Sequence, residues 1–213
     1  MTPRYVKTFK PLIDTTLSII GLILLFPLLI VICIAIKITS QGPLIYKQQR
    51  YGQHFKPFYL LKFRSMIPNA DKKGLLITTK NDPRITPIGK WLRKTKCDEL
   101  PQLINVIKGD MALVGPRPEV KKYIDHFKKD YKKILSIKPG ITDNAAITYI
   151  NEESLLANSK IPEETYIKEI LPQKIKLYLE YIHSITAKKD IHIIIQTLFK
   201  LIKQDSQKTE KID

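Results

Sequence analysis

Residues 17–36, LSIIGLILLFPLLIVICIAI, contain no charged side chain. About 20 apolar residues at 1.5 Å each match a hydrocarbon core of about 30 Å. The residues that follow, KITSQGP, offer no small-x-small cleavage site, and the run is long for a signal peptide. A soluble helix that is apolar on every side would need a larger protein around it. The stretch, roughly residues 12–38 overall, therefore predicts a membrane segment.

Pro27 stands in the middle of that segment. It has no N–H to give to the carbonyl of Ile23, and its ring pushes a helix to kink. Basic residues flank the segment on both sides: Arg4, Lys7 and Lys10 before it, Lys37, Lys47 and Arg50 after it. A single crossing usually concentrates positive charge on one side. Symmetric charge and a central proline predict a helix-break-helix that enters and leaves the bilayer by the same face.

Outward from this segment, the chain of 213 residues has room for one ordinary domain. Its formal charge of +16 implies an anionic partner: nucleic acid, phospholipid headgroups or a phosphorylated substrate. Cys33 and Cys97 form no Cys-x-x-Cys pair and are expected to lie apart, which fits a reducing compartment. The four histidines are scattered, without the clustered spacing of a zinc site.

In the remainder, residues 44–50 and 58–66 have the aromatic and branched composition of strands, with a turn at 51–53 between them. Leu100, Leu103, Ile104 and Ile107 share one helical face, closed by Gly109. Ile124, Phe127, Tyr131, Ile134 and Leu135 form a second stripe, with Lys121, Lys122, Lys128, Lys129, Lys132 and Lys133 opposite. Such a basic amphipathic helix suits either solvent or an anionic lipid surface. The expected fold is mainly α with a few short strands (α+β). A membrane-embedded segment spans residues 1–39, a globular domain 40–205 and a flexible tail 206–213.

No Walker A loop, no Gly-x-Gly-x-x-Gly and no Gly-x-Ser-x-Gly elbow is present. The chemistry must come from elsewhere, and a polar block at residues 94–102 is the first candidate. Asp98 and Glu99 fall at a helix start, with Pro101 in its first turn. Neighbouring helical residues do not face each other, so two adjacent carboxylates can serve as nucleophile and metal ligand. The same pair would also serve as a plain helix cap. A second cluster, Gly115-Pro116-Arg117-Pro118-Glu119, holds one arginine in a stiff loop. Its guanidinium fork matches phosphate oxygens. Lys62, Arg64 and Arg93 add cations.

These pieces recur in a recognisable order. It begins with the apolar segment with Pro27, Gly42-Pro43 and residues 47–52 (KQQRYG), then 62–66 (KFRSM), 81–84 (NDPR) and 89–93 (GKWLR). Residues 98–102 (DELPQ), 109–111 (GDM), 114–119 (VGPRPE) and 138–142 (KPGIT) follow. In this the chain resembles the bacterial sugar transferases, the monotopic phosphoglycosyl transferases, from about residue 8 to 145 and more loosely beyond.

The resemblance implies transfer of a sugar phosphate from a UDP-sugar to a polyprenyl (undecaprenyl) phosphate. Asp98 would form a covalent phosphosugar and release UMP, the first membrane step of glycoconjugate or polysaccharide assembly. Glu99, with Asp98, would hold Mg²⁺. Arg117, Arg93, Arg64 and Lys62, framed by Pro116 and Pro118, would bind phosphate and substrate. The implied setting is the cytoplasmic face of a bacterial inner membrane, with the bilayer as partner, no nucleic acid, and room for a homodimer. Three positions differ from the common pattern: Phe26 for Ser before the membrane proline, Cys97 for Leu, and Asp143-Asn144-Ala145-Ala146 after Thr142. A rival reading is a non-catalytic protein that holds anionic lipid through its basic amphipathic helices.

Overall fold

The computed structural model describes residues 4–70, 77–79 and 82–209, with side chains to residue 203. After a wide turn at Tyr5–Phe9, helix α1 runs over Lys10–Thr39 with Pro27 inside it. The break expected at Pro27 does not interrupt the helix. The physical reason is that proline removes one ladder hydrogen bond, and the neighbouring bonds of a long apolar helix persist around it.

One face of α1 is buried at both ends and half-buried between them, at Gly21, Leu25, Leu28 and Leu29. Lys10, Asp14, Ser18, Ile32 and Ile36 are buried at helical spacing. Gly21, in the middle of the same stripe, lies against Leu103 of the globular part. The opposite face leaves Leu12, Leu17, Ile20, Ile23, Leu24, Phe26, Val31 and Ile34 exposed.

Beyond α1 come an antiparallel hairpin and a set of short helices. Strand β1 (Ile45–Tyr51) pairs with β2 (Pro57–Phe63) in the register Ile45 to Phe63 and Tyr51 to Pro57. Helix α2 (Pro87–Lys94) is capped by Thr86, whose Oγ1 accepts the Gly89 N–H at 3.0 Å. Helix α3 is Gln102–Ile107. Its apolar stripe enters the core only in part, with Leu100 packed on Ile32, Ile36, Phe63 and Leu92 and Leu103 half-buried. Gln102, Asn105 and Val106 are buried instead, while Ile104 and Ile107 stay partly exposed beside α1. Asn105 repays its burial by accepting the Leu61 N–H at 3.0 Å and donating to the Tyr59 carbonyl at 2.9 Å, which locks α3 to β2.

Strand β3 (Ala112–Val114) pairs in parallel with β4 (Gly140–Thr142). The crossover between them holds α4 (Lys121–His126) and α5 (Lys128–Ile134), so the single basic helix expected here is two, parted at Phe127. The stripe behaves as expected, burying Ile124, Tyr131, Ile134 and Leu135 against Tyr166, Leu171, Ile175 and Tyr178. Short helices α6 (Asn144–Thr148), α7 (Glu152–Ala157) and α8 (Pro162–Thr165) lead to α9 (Leu171–His183) and α10 (Ala187–Thr209). The backbone is thus helical through residue 209, and residues 210–213 of the expected tail lie outside the described residues, as does Asn81.

α10 exposes a second apolar surface, with Ile191, Ile195, Leu198, Phe199 and Ile202 outward. The ends of the chain are joined by a buried polar cluster. Lys10 Nζ donates to Asp190 at 2.7 Å, and Tyr5 and Tyr181 donate to the same carboxylate at 2.8 Å and 2.6 Å. Cys33 and Cys97, expected apart, are both free thiols packed on one cluster of Ile32, Ile36, Phe63 and Leu92. They share it because α1 lies alongside α2 and the turn before α3.

Candidate active site

The chain reaches Asp98 through a constrained step. α2 ends, Lys96 takes the left-handed conformation with φ 57°, and Cys97–Glu99 forms a single 3-10 turn before Pro101 starts α3. For a residue with a side chain that conformation costs roughly 1–2 kcal/mol, so the packing around it must hold it. The dyad therefore sits one turn ahead of α3 and not within its first turn.

The two carboxylates meet different surroundings. Glu99 Oε1 accepts from Lys62 Nζ at 2.9 Å and from Arg117 Nη2 at 2.6 Å, and its Oε2 accepts from Arg117 Nη1 at 3.2 Å. Burial works to raise the Glu99 carboxyl, but the charges of Arg117 and Lys62 outweigh it and hold it well below the usual carboxylate range. Glu99 in turn raises Arg117 well above its ordinary value, while burial lowers the Lys62 ammonium. Asp98 is almost wholly buried, and its Oδ1 has no hydrogen-bond partner. Burial raises its carboxyl; Lys62 opposes this and the charge of Glu99 adds to it. One carboxylate is thus clamped and anionic, and its neighbour is desolvated with an oxygen to spare.

Arg117 owes its place to the loop after β3. The Gly115 N–H donates to Thr142 and the Gly140 N–H to Pro116, at 3.0 Å and 2.9 Å. A Cβ on Gly140 would stand 2.1 Å from Gly115 N, so only glycine allows this approach. Pro118 offers its carbonyl to Arg50 at 3.1 Å. Glu119 takes Arg50 at 3.1 Å and the Tyr166 hydroxyl at 2.6 Å. Both prolines act as buried struts for the arginine between them.

The remaining expected residues divide. Lys62 is in the cluster. Arg93 is among the charges acting on Asp98, and its guanidinium holds Glu153. Arg64 donates through Nη2 to the Ser40 carbonyl at 2.8 Å and to Ser40 Oγ at 2.7 Å, bracing the end of α1 against the end of β2, while its Nε and Nη1 are buried without a hydrogen-bond partner. Two residues to which the sequence reading gives no role of their own are Lys96, within the polar block, which turns the chain, and Asp143, noted only as a departure from the common pattern. The latter caps α6 by accepting the Ala146 N–H at 2.9 Å and is buried with Oδ2 unpartnered. No group of three or more His, Cys, Asp or Glu is placed to hold a metal among the described residues. Asp98 and Glu99 are hard oxygen donors, and Mg²⁺ needs only one or two of these when phosphate and water complete its shell. The orphaned Asp98 Oδ1 fits that use, and Glu99 could join it by releasing one of its cations.

Next to this cluster lies a cavity of about 250 Å³ between α3, α6 and α10, with Lys96, Glu99, Arg117 and Lys200 on its lining. The family model for bacterial sugar transferases matches residues 5–204. The chain belongs to the bacterial sugar transferase family. The matched span includes α1 and most of α10, so the long apolar helix and the C-terminal helix are parts of the sugar transferase unit. The chain is similar to a UDP-glucose:undecaprenyl-phosphate glucose-1-phosphate transferase of Klebsiella pneumoniae, 39% identical over 195 residues, which is 90% of this chain and 40% of that protein. A protein of the same description from Caulobacter vibrioides is 31% identical over 200 residues, 92% of this chain and 71% of its own. An undecaprenyl-phosphate galactose phosphotransferase of Salmonella typhimurium is 42% identical over 158 residues, 67% of this chain and 33% of its own. This sugar transferase chain thus spans about two fifths of the length of relatives such as the Klebsiella protein.

Proposed function

We propose that this sugar transferase moves a sugar phosphate from a UDP-sugar to a polyprenyl phosphate such as undecaprenyl phosphate, through a phosphosugar held on Asp98. The observation that carries the reading is the pairing of a desolvated Asp98, with Oδ1 unpartnered, and a Glu99 gripped by Arg117 and Lys62.

Asp98 Oδ1 attacks the sugar-side phosphorus, forming an acyl phosphate as the bond to the bridging oxygen breaks and UMP leaves. An oxygen of the lipid phosphate then attacks the same phosphorus, and the Asp98 carboxylate departs. Phosphoryl transfer depends on positioning and on neutralising charge. Arg117 and Lys62 are placed to do both, once phosphate oxygens compete with Glu99 for them. Mg²⁺ held by Glu99 and Asp98 would supply further neutralisation of the diphosphate.

The same reading sets the chain on the cytoplasmic face of a bacterial inner membrane, where nucleotide sugars are. On this reading α1, unbroken at Pro27, lies in the interface with both of its ends on that one side. A helix that crosses a bilayer can touch a domain on one side only near one end. The covered face of α1 instead runs from Lys10 to Ile36, about 40 Å at 1.5 Å per residue. This supports a helix lying along its domain with its other face in lipid. Single cysteines at Thr8 and Thr39, in a background without Cys33 and Cys97, test it: both should react from the same side, and labelling from opposite sides would rule the arrangement out.

The non-catalytic rival accounts for the basic charge and the apolar helix. It gives no reason for a buried carboxylate pair aligned with two cations. Purified protein offered a panel of UDP-sugars without lipid should release UMP up to one per active chain, and Asp98→Ala should release none. Release that requires lipid phosphate in every case would point to direct transfer and against the intermediate.

A further inference from the structure

We infer that the cavity between α3, α6 and α10 receives the first isoprene units of the acceptor lipid, with its phosphate drawn to the Lys96–Arg117 end. This deepens the proposed transfer reaction and rests on it.

Three observations favour this occupant over the nucleotide. The cavity is lined by apolar side chains such as Leu103, Ile141, Ile147 and Leu198, and its charged groups are Lys96, Glu99, Arg117 and Lys200. Its neutral hydroxyls, Thr142 and Thr197, are bonded to each other at 2.7 Å, which ties β4 to α10. A nucleobase placed here would leave its polar edge without partners, at a cost of a few kcal/mol. A prenyl chain needs none, and burying it is favourable.

The second observation is continuity with the lipid-facing surfaces. Leu198 lines the cavity and is also largely exposed on α10, in line with Ile195 and Ile202. On the other side Leu103 touches Gly21 of the membrane helix. A chain leaving the cavity passes directly between the two apolar surfaces of the molecule. The third is charge: three of the four charged lining groups are cations, and the anion, Glu99, is already engaged by Arg117. A lipid phosphate at this end meets Glu99, the residue next to Asp98, on the side from which the second displacement would come.

The test narrows the cavity with Leu198→Trp and, independently, with Ala146→Phe. Lys176→Trp, exposed on α9 and outside both the cavity lining and the apolar surface of α10, serves as control. Two readouts are taken on protein whose thermal unfolding matches the parent: the lipid-free UMP burst, and binding of undecaprenyl phosphate by native mass spectrometry. Both cavity variants should lose lipid binding and raise the lipid KM by roughly tenfold or more, with the burst kept within about twofold. The control should change neither.

Loss of the burst with lipid binding intact would assign the cavity to the donor and overturn the inference. Unchanged lipid binding and lipid KM in both variants would overturn it as well. The underlying reaction fails separately, if the parent protein gives no burst with any UDP-sugar. Lipid binding sensitive to Leu198→Trp would in that case still uphold the cavity.

Discussion

Arg117 grips both oxygens of Glu99, through Nη2 at 2.6 Å and Nη1 at 3.2 Å, so the carboxylate beside Asp98 is fixed by a fork and not by a point charge. Lysine cannot reproduce that geometry. Arg117→Lys should slow the UMP burst by on the order of 100-fold, or ~2.7 kcal/mol. The thermal midpoint should move little, because Lys62 still holds Glu99. Stopped-flow or quenched UMP release reads the rate. A burst within severalfold of the parent would mean that a single charge at Arg117 is enough.

The Lys10–Asp190 pair ties α1 to α10 in a buried setting, with both side chains 6% exposed. Removing one partner of such a pair leaves a buried charge and typically costs about 3–5 kcal/mol. Asp190→Ala should lower stability in detergent by that order. Lys10→Met combined with Asp190→Asn should lose less than the sum of the two single changes. Additive losses in chemical or thermal unfolding would show that the residues act independently.

Asp143 gives a pH signature separate from the dyad. Burial raises its carboxyl above the ordinary value, against the pull of the Ala146 N–H and of Lys174. The folded chain therefore binds this proton more tightly than the unfolded chain. Its favourable contribution is complete below the ordinary carboxylate value of about 4 and is lost as pH rises through the raised value in the folded state. Asparagine cannot ionise and keeps an acceptor for the α6 cap. Asp143→Asn should match the parent near pH ~4 and become more stable than it by neutral pH. Unfolding midpoints across this range check the sign, and a gap that closes with rising pH would contradict it.

Much of the site is legible in the sequence because its parts are local. Asp98 and Glu99 are adjacent, and Arg117 is locked between two prolines. The β1–β2 hairpin shows in composition and turn residues. What each part faces is less legible. The stripe Leu100, Leu103, Ile104 and Ile107 marks a helix, yet α3 packs on α1, Ile104 and Ile107 stay exposed, and the buried side belongs to Gln102, Asn105 and Val106. Strands β3 and β4 are three residues each and far apart in the chain, too short for periodicity to reveal. Lys96 gives no turn signal, because lysine is not a residue type that favours the left-handed φ it adopts here. Arg64 reads as one more phosphate cation, and its contact with Ser40 through Nη2 shows only once α1 and β2 come together.

The covalent step is the centre of the account, and one labelling measurement bears on it most directly. The protein is incubated with a UDP-sugar radiolabelled in the β-phosphate, without lipid, and the denatured chain is analysed for bound label and intact mass. The account predicts one sugar phosphate per active chain, located on the peptide containing Asp98, removed on adding polyprenyl phosphate and absent from Asp98→Asn. Label retained by Asp98→Asn, or release of UMP in the parent with no label on the chain, would contradict it.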